Sequence, residues 1–183
     1  MNILLMNSAN HHTKLAQKIK SWGIELGFSD VKISHCDLSQ YEAEFFNWIG
    51  QNNHGEMKFL EAHGTKRTRP NELLPGTQSI ISVRMNYFHD TSNHTLQQLK
   101  KSAHAYVSRY ALGKDYHKLM RKRLNALALK IQQECPDIQY RAFSDSAPVL
   151  ETAIAEQAGH GFIGKNTLMI SPEAGSWFFL GEL

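Results

Sequence analysis

A chain of 183 residues with 42% hydrophobic content is long enough to bury one sizeable core, and a single domain over residues 1–183 is the expectation. Its two cysteines, Cys36 and Cys135, lie far apart without C-x-x-C spacing, which excludes a disulfide framework or a thiolate metal cage and fits a cytoplasmic setting. The formal charge of +3 is too small to define a nucleic-acid binder by itself. With no apolar run near the roughly 18 residues of a membrane helix and no secretory start pattern, the chain is expected to be neither embedded nor exported.

In residues 13–26, Leu15, Ile19, Trp22 and Leu26 recur at helical spacing, with Thr13 as the expected N-cap and Gly27 as the residue beyond the helix end. A short strand is expected over 28–34 and a second helix over 41–50. Residues 52–69 are polar, rich in His and basic, and read as irregular or weakly helical surface before Pro70. Leu73-Leu74-Pro75-Gly76 marks a helix stop and a turn, and the Ile/Val-rich run 79–85 a buried strand. A polar excursion over 90–101 follows.

Residues 103–110 alternate Ala103, Ala105 and Val107 with His104, Tyr106 and Ser108, the period of a strand buried on one side. The apolar stripe Met120, Leu124, Leu127 and Ile131 predicts a helix over 116–134, closed by Pro136. From Arg109 into its first turns the chain is basic: Arg109, Lys114, Lys118, Arg121, Lys122 and Arg123 face one acid, Asp115, and a second basic knot lies at Lys66, Arg67 and Arg69. Such runs are either solvated faces or a phosphate-tracking patch, and cations at a helix start oppose its dipole. A strand is expected over 138–143, a helix over 148–158, and two strands over 166–170 and 176–180 joined by a turn at 171–175. The interleaved elements predict an α/β or α+β domain with a mixed sheet flanked by helices.

Gly159-His160-Gly161-Phe162-Ile163-Gly164 matches G-x-G-x-x-G, but a helix precedes it and a strand follows, the reverse of a dinucleotide-binding unit. A helix C-cap glycine followed by a loop open to close approach is the better reading. Asp115-Tyr116-His117 resembles the start of the D-x-H-x-x-G signature of cobalamin enzymes, with Met120 where that motif has glycine. No H-E-x-x-H and no carboxylate-rich calcium loop occurs, which leaves a hydrolytic metal site without support. Asp145, in Phe143-Ser144-Asp145-Ser146-Ala147-Pro148, stands between a strand and a helix, where it is either a general acid at a sheet mouth or a turn residue bonding nearby N–H groups.

Five blocks, in order and approximate spacing, resemble the epoxyqueuosine reductase family, QueG. They are Leu73-Leu74-Pro75-Gly76, then Arg109-Tyr110-Ala111-Leu112-Gly113-Lys114-Asp115-Tyr116-His117, then Asp145-Ser146-Ala147-Pro148, then Ala158-Gly159-His160-Gly161-Phe162-Ile163-Gly164-Lys165-Asn166, and Gly175-Ser176-Trp177-Phe178-Phe179-Leu180-Gly181-Glu182. The resemblance covers nearly the whole chain and roughly the first half of a typical member. It implies a cytoplasmic, monomeric oxidoreductase that completes queuosine at the wobble base of tRNA. It further implies a nitroreductase-like module binding cobalamin without a protein histidine below the cobalt, followed by a ferredoxin-like domain with two 4Fe-4S clusters.

Carried over by position, the resemblance makes Asp145 the proton donor and a cofactor neighbour, Arg67 a cobalamin contact with Arg69 as its rival, and Ser108, Asn166, Met169 and Leu180 further cofactor contacts. The strands at 166–170 and 176–180 would then form a hairpin wall of the corrin pocket. Tyr116 and His117 fall on the substrate side, with Lys118 and Arg121 toward tRNA phosphates. Thr152 departs from relatives that have arginine there. The cysteine run that ligates clusters, such as C-x-x-C-x-x-C-x-x-x-C-P, is absent, so the cluster domain is expected beyond residue 183 and electrons from it or from an external donor. The chain alone is expected to bind cofactor at best. Other readings are a non-catalytic tRNA-binding module, with Tyr106, Tyr110 and Tyr116 as stacking partners, and a cobalamin carrier or flavin reductase of similar fold.

Overall fold

The structure, a computed structural model, describes residues 2–88 and 92–183, with side chains from residue 12 onward apart from 92–94. Helix α1 (Asn2–Glu25) leads into β1 (Asp30–Ser34), followed by α2 (Ser39–Gly50), the short α3 (Pro70–Leu73) and β2 (Ile80–Asn86). Then come α4 (Ser92–Leu99), α5 (Tyr116–Glu134), α6 (Glu151–Ala158) and the strands β3 (Phe162–Ile163), β4 (Met169–Ile170) and β5 (Phe178–Glu182). Sheet order is β1-β2-β5, with β3 and β4 pairing separately.

Strand β2 is central because seven residues, four of them consecutive and buried, can be covered on both faces. It pairs antiparallel with β1, Val31 opposite Val83, and with β5, Ser82 opposite Glu182. Alternation sends Val83 and Met85 to one face, where they meet Ile19 of α1 and Met120, Leu124, Leu127 and Ile131 of α5. Leu124 and Leu127 are fully buried, which stabilises the fold by about 2–3 kcal/mol per side chain. A Cβ on Gly181 of β5 would lie 2.8 Å from the Met120 methyl, so this glycine lets α5 lie close on the sheet. The opposite face carries Ser82 and Glu182, and over it α6 brings Ile154 against Leu38, Ile80 and Val149. The layers are therefore α1 and α5, sheet, then α6.

The helix over 116–134 has the expected bounds, and Asp115 caps it by accepting the His117 N–H at 3.0 Å. Gly27 ends α1 with φ +89°, as expected, but Thr13 lies inside that helix rather than at its cap. Arg123 leaves the basic face: it donates to the Gly27 carbonyl at 2.9 Å, clamping α5 to the end of α1. Gly159 caps α6 with φ +88°.

Several expectations are corrected. The expected mixed sheet narrows to antiparallel pairing throughout the described strands. Residues 103–110 form no strand; 103–108 are exposed on both alternating sets, and a turn of 3-10 helix covers Arg109–Ala111, because among the described residues no strand offers them a ladder. Residues 138–143 keep an alternating burial pattern, but only Phe143 pairs, bridging to Glu182. The excursion over 90–101 contains helix α4; its residues 90 and 91 lie outside the described ones. The turn at 171–175 closes through Ser171 and Gly175, yet the strands beyond diverge, β4 to β3 and β5 to β2, so no hairpin wall forms.

Gly161 is required by the close passage of β4: a Cβ there would stand 2.0 Å from the Ile170 carbonyl oxygen. Gly161→Ala is expected to destabilise the chain by about 3 kcal/mol, read as a lower denaturant midpoint at constant slope. An unchanged midpoint would show that β4 yields.

Candidate active site

Three neighbouring residues at the start of α5 face the turn that carries Asp145. Tyr116, in the first turn, stacks flat on Phe179 of β5, ring centroids 3.7 Å apart, and His117 stacks on Tyr116 at 4.0 Å. His117 then has a carboxylate at each ring nitrogen: Asp115 at 2.8 Å from Nδ1 and Asp145 at 3.0 Å from Nε2. The Tyr116 hydroxyl donates to the same Asp145 oxygen at 3.4 Å.

Electrostatics follow from that geometry. The hydrogen bond to Asp145, and next that to Asp115, holds the His117 pKa above the ordinary imidazole value, and the same contact lowers Asp115. Burial, then the charge of Asp145, pushes Tyr116 up to about 12, so it stays a phenol and a donor. The arrangement is a histidine ring between two carboxyl groups, both of which favour its charged form. It can store a proton and pass it through Asp145.

Asp145 occupies a left-handed turn, φ +62°, a conformation Asp tolerates better than most residues. Its N–H donates to Glu151, the first residue of α6, at 2.6 Å. The turn starts from Phe143, which exchanges both backbone bonds with Glu182, and from Ser144, whose hydroxyl donates to the Leu180 carbonyl at 3.2 Å. The Asp145 side chain is 65% exposed. A strip of rings runs away from it, from Tyr116 through Phe179, Tyr87 and Trp177 to Phe88, over which lies the Arg109 guanidinium. Trp177, Tyr110 and Leu112 are exposed.

Two cavities lie elsewhere. One of about 980 Å³ opens between α1, the end of α5 and the 73–81 segment, with Glu182 and Leu183 in its wall. The other, about 370 Å³, sits behind the Asp145 turn, with Arg121, Arg141 and Ser146 among its lining. Asp145 lines neither and faces open surface.

Of the residues singled out in the sequence, the structure brings Tyr116, His117 and Asp145 together, and Met169 with Leu180 around Phe178. Arg67 is buried and donates to the carbonyls of Leu60 and Phe59 at 3.0 and 2.7 Å, whereas Arg69 pairs with Glu42 and Glu72. Arg69 and Thr68 hold Glu42 down at about 2. Ser108 is exposed ahead of the 3-10 turn, and Asn166 is exposed with its side chain accepting the Leu168 N–H. Lys118 and Arg121 are exposed on α5. The sequence reading missed Asp115 as partner of His117, the ring strip, and Glu151 and Glu182. A glutamate closing the otherwise apolar run Phe178-Phe179-Leu180-Gly181-Glu182 was the available signal.

Fold and site together define an α+β module in which the Asp145 carboxyl, hydrogen-bonded to His117, sits beside a strip of aromatic rings. The family model for epoxyqueuosine reductase QueG, DUF1730, matches residues 67–146. The epoxyqueuosine reductase of Pseudomonas aeruginosa is 57% identical over 170 residues, which cover 93% of this chain and 47% of that protein. The structure of the Streptococcus thermophilus epoxyqueuosine reductase superposes with a TM-score of 0.77 at 28% identity, covering 100% of this chain and 45% of that one. An epoxyqueuosine reductase crystallised with an epoxyqueuosine-modified tRNA-Tyr stem loop gives 0.72 at 25% identity, covering 93% and 44%. The chain is similar to the epoxyqueuosine reductases over nearly its whole length and spans about half the length of the curated relatives it matches.

Proposed function

We propose that this chain is the cobalamin-binding, acid-supplying part of an epoxyqueuosine reductase, which removes the epoxide oxygen of epoxyqueuosine at the wobble position of tRNA. The observation that carries this reading is the Asp115, His117, Asp145 and Tyr116 cluster at the end of the ring strip. Turning an epoxide into an alkene releases the oxygen as water and consumes electrons and protons in equal number. Asp145 delivers a proton to the departing oxygen, His117 restores it, and the Tyr116 hydroxyl keeps the carboxyl aimed. Asp115 favours the charged form of His117 until that transfer and again when the ring takes up a new proton.

The residues present fit a broad, largely apolar macrocycle: Trp177 is 44% exposed at the strip, and Tyr110 and Leu112 are exposed on the preceding segment. Cobalamin, when bound, supplies the reduced cobalt that delivers electrons. Arg67, Ser108, Asn166, Met169 and Leu180 are proposed as its contacts, with Arg69 as the rival of Arg67; both guanidiniums are engaged within the fold, Arg67 by the Leu60 and Phe59 carbonyls and Arg69 by Glu42 and Glu72. The 4Fe-4S clusters do not fit this chain, whose two cysteines cannot ligate one; electrons come from another segment or an outside donor. Lys118 and Arg121, three residues apart on α5, share a face and meet tRNA phosphates, while Tyr116 and His117 lie against the modified base. The full protein is proposed to act as a cytoplasmic monomer.

Titration of the chain with cob(II)alamin, followed by electron paramagnetic resonance, tests the cofactor reading. A change from five- to four-coordinate cobalt is expected, weakened in Trp177→Ala. An unaltered spectrum at saturating protein would overturn it.

A further inference from the structure

Behind Asp145 lies a second pair of carboxyl groups that the chemistry above does not use. Glu182 is 2% exposed, and among the described residues neither of its carboxyl oxygens has a hydrogen-bond partner, while the carboxyl of Glu151 is the charged group that bears on it. A buried carboxylate with no donor is strongly unfavourable, and two facing carboxylates more so. One proton between them removes both penalties, since Glu182 as an acid can donate to Glu151 as an anion. Glu151 in turn accepts the Asp145 N–H at 2.6 Å. The backbone of Glu182 holds Phe143, where the Asp145 turn begins, at 2.8 and 3.0 Å. The same residue therefore ties down the start of the turn and backs the group that ties down its tip.

We propose that Glu151, backed by Glu182, is the positioning residue of the Asp145 turn: the two carboxyls share one proton and latch the left-handed backbone that aims the acid. This rests on Asp145 being the proton donor. Glu182 carries the proton because it is fully desolvated beside the charge of Glu151. Burial raises Glu151 too, but the Asp145 N–H pulls it back toward the anion. The charged groups around the pair are accounted for. From the front come Asp145, which raises Glu151, and His117, which lowers it. On the same face of the sheet Arg84 donates to Ser171, and His160 lies between Asp30 and the Ser82 carbonyl. Glu156, further along α6, accepts from Tyr41 and the Ile163 N–H, and Arg141, across the larger cavity, donates to the Leu73 carbonyl. Of these, Glu151 is the one that bears on Glu182.

The sign of the pH dependence follows. A carboxyl raised in the folded state keeps its proton where the unfolded chain has lost it, so stability falls as pH rises from the ordinary glutamate value toward the raised one. Above that point the pair is doubly charged and the latch opens.

Amide hydrogen exchange of the 183-residue chain, read at Asp145 by NMR across pH, tests the latch without turnover. The Asp145 amide is expected to be protected while the pair holds its proton and to lose that protection as pH rises through the raised value, beyond the intrinsic pH trend of exchange. Glu151→Ala should raise exchange at this amide at least tenfold while Val83 and Leu124 stay protected. Glu182→Gln, a neutral mimic of the acid that still donates to Glu151, should keep the protection and remove its excess pH dependence. Unchanged exchange in Glu151→Ala, or an excess pH dependence that survives in Glu182→Gln, would overturn the proposal. Should Glu151→Ala fail to fold, the Glu182→Gln profile decides alone. Asp145→Asn keeps the backbone N–H and should stay latched, so loss of activity in that variant with intact protection separates the acid from its positioning.

Discussion

Asp145→Asn in the full-length protein is expected to slow epoxide opening by about a hundred- to ten-thousand-fold, the usual worth of a positioned general acid. Asparagine has nearly the same shape, accepts from the Tyr116 hydroxyl and from His117 Nε2 as the carboxylate does, and tolerates the left-handed backbone at this position. It cannot carry a proton to the leaving oxygen. Tight binding of the modified tRNA should persist, since the phosphate contacts proposed for Lys118 and Arg121 are untouched, so the loss should fall on kcat and leave KM near its original value. Single-turnover conversion of epoxyqueuosine tRNA, followed by mass spectrometry of the nucleosides, measures both. A rate within a few-fold of the parent would remove Asp145 from the chemistry and favour a binding module.

His117→Gln is expected to lower the same rate by about a hundredfold at neutral pH and to abolish one limb of the pH profile. Its two carboxylate partners raise the His117 pKa. The imidazolium, and the proton it holds for Asp145, is therefore complete below the ordinary histidine value and is lost as pH rises through the raised one. Parent activity should decline on the alkaline side, and the Gln variant should be flat there. Stability follows the same sign: the ion pairs help below the ordinary value and fade as pH climbs. The Asp145 partner is exposed, so that contribution is at most about 1 kcal/mol. An alkaline limb that survives in His117→Gln would assign it to another group.

The parts of the fold that could be read beforehand were those whose residues carry their own periodicity. Helix α5 announced itself because Met120, Leu124, Leu127 and Ile131 form one stripe and Asp115 caps it. Strand β2 was legible as a bounded Ile/Val run. Where the periodicity was present but the partner was not, the reading failed. Residues 103–110 and 138–143 alternate as strands do, yet a strand is completed by another chain segment at ladder distance, and among the described residues only Phe143 finds one.

The site divides the same way. Asp145, Tyr116 and His117 stood out as residue types in motifs, because the turn chemistry of Asp and the helix start at Asp115 are local. Their meeting is not local: 28 positions separate His117 from Asp145, and β5 must pass between α5 and α6 for Phe179 to support Tyr116 on one side while Glu182 backs Glu151 on the other. By itself the sequence determined the class of fold, the resemblance to a family and the candidate acid, since these depend on residue identity and near-neighbour spacing. Only the tertiary structure decided that Asp145 is paired with His117, lies on open surface beside stacked rings, and has its backbone N–H bonded to Glu151 in front of the buried Glu182. Desolvation and facing charges arise from which distant segments pack together, and no local pattern encodes that.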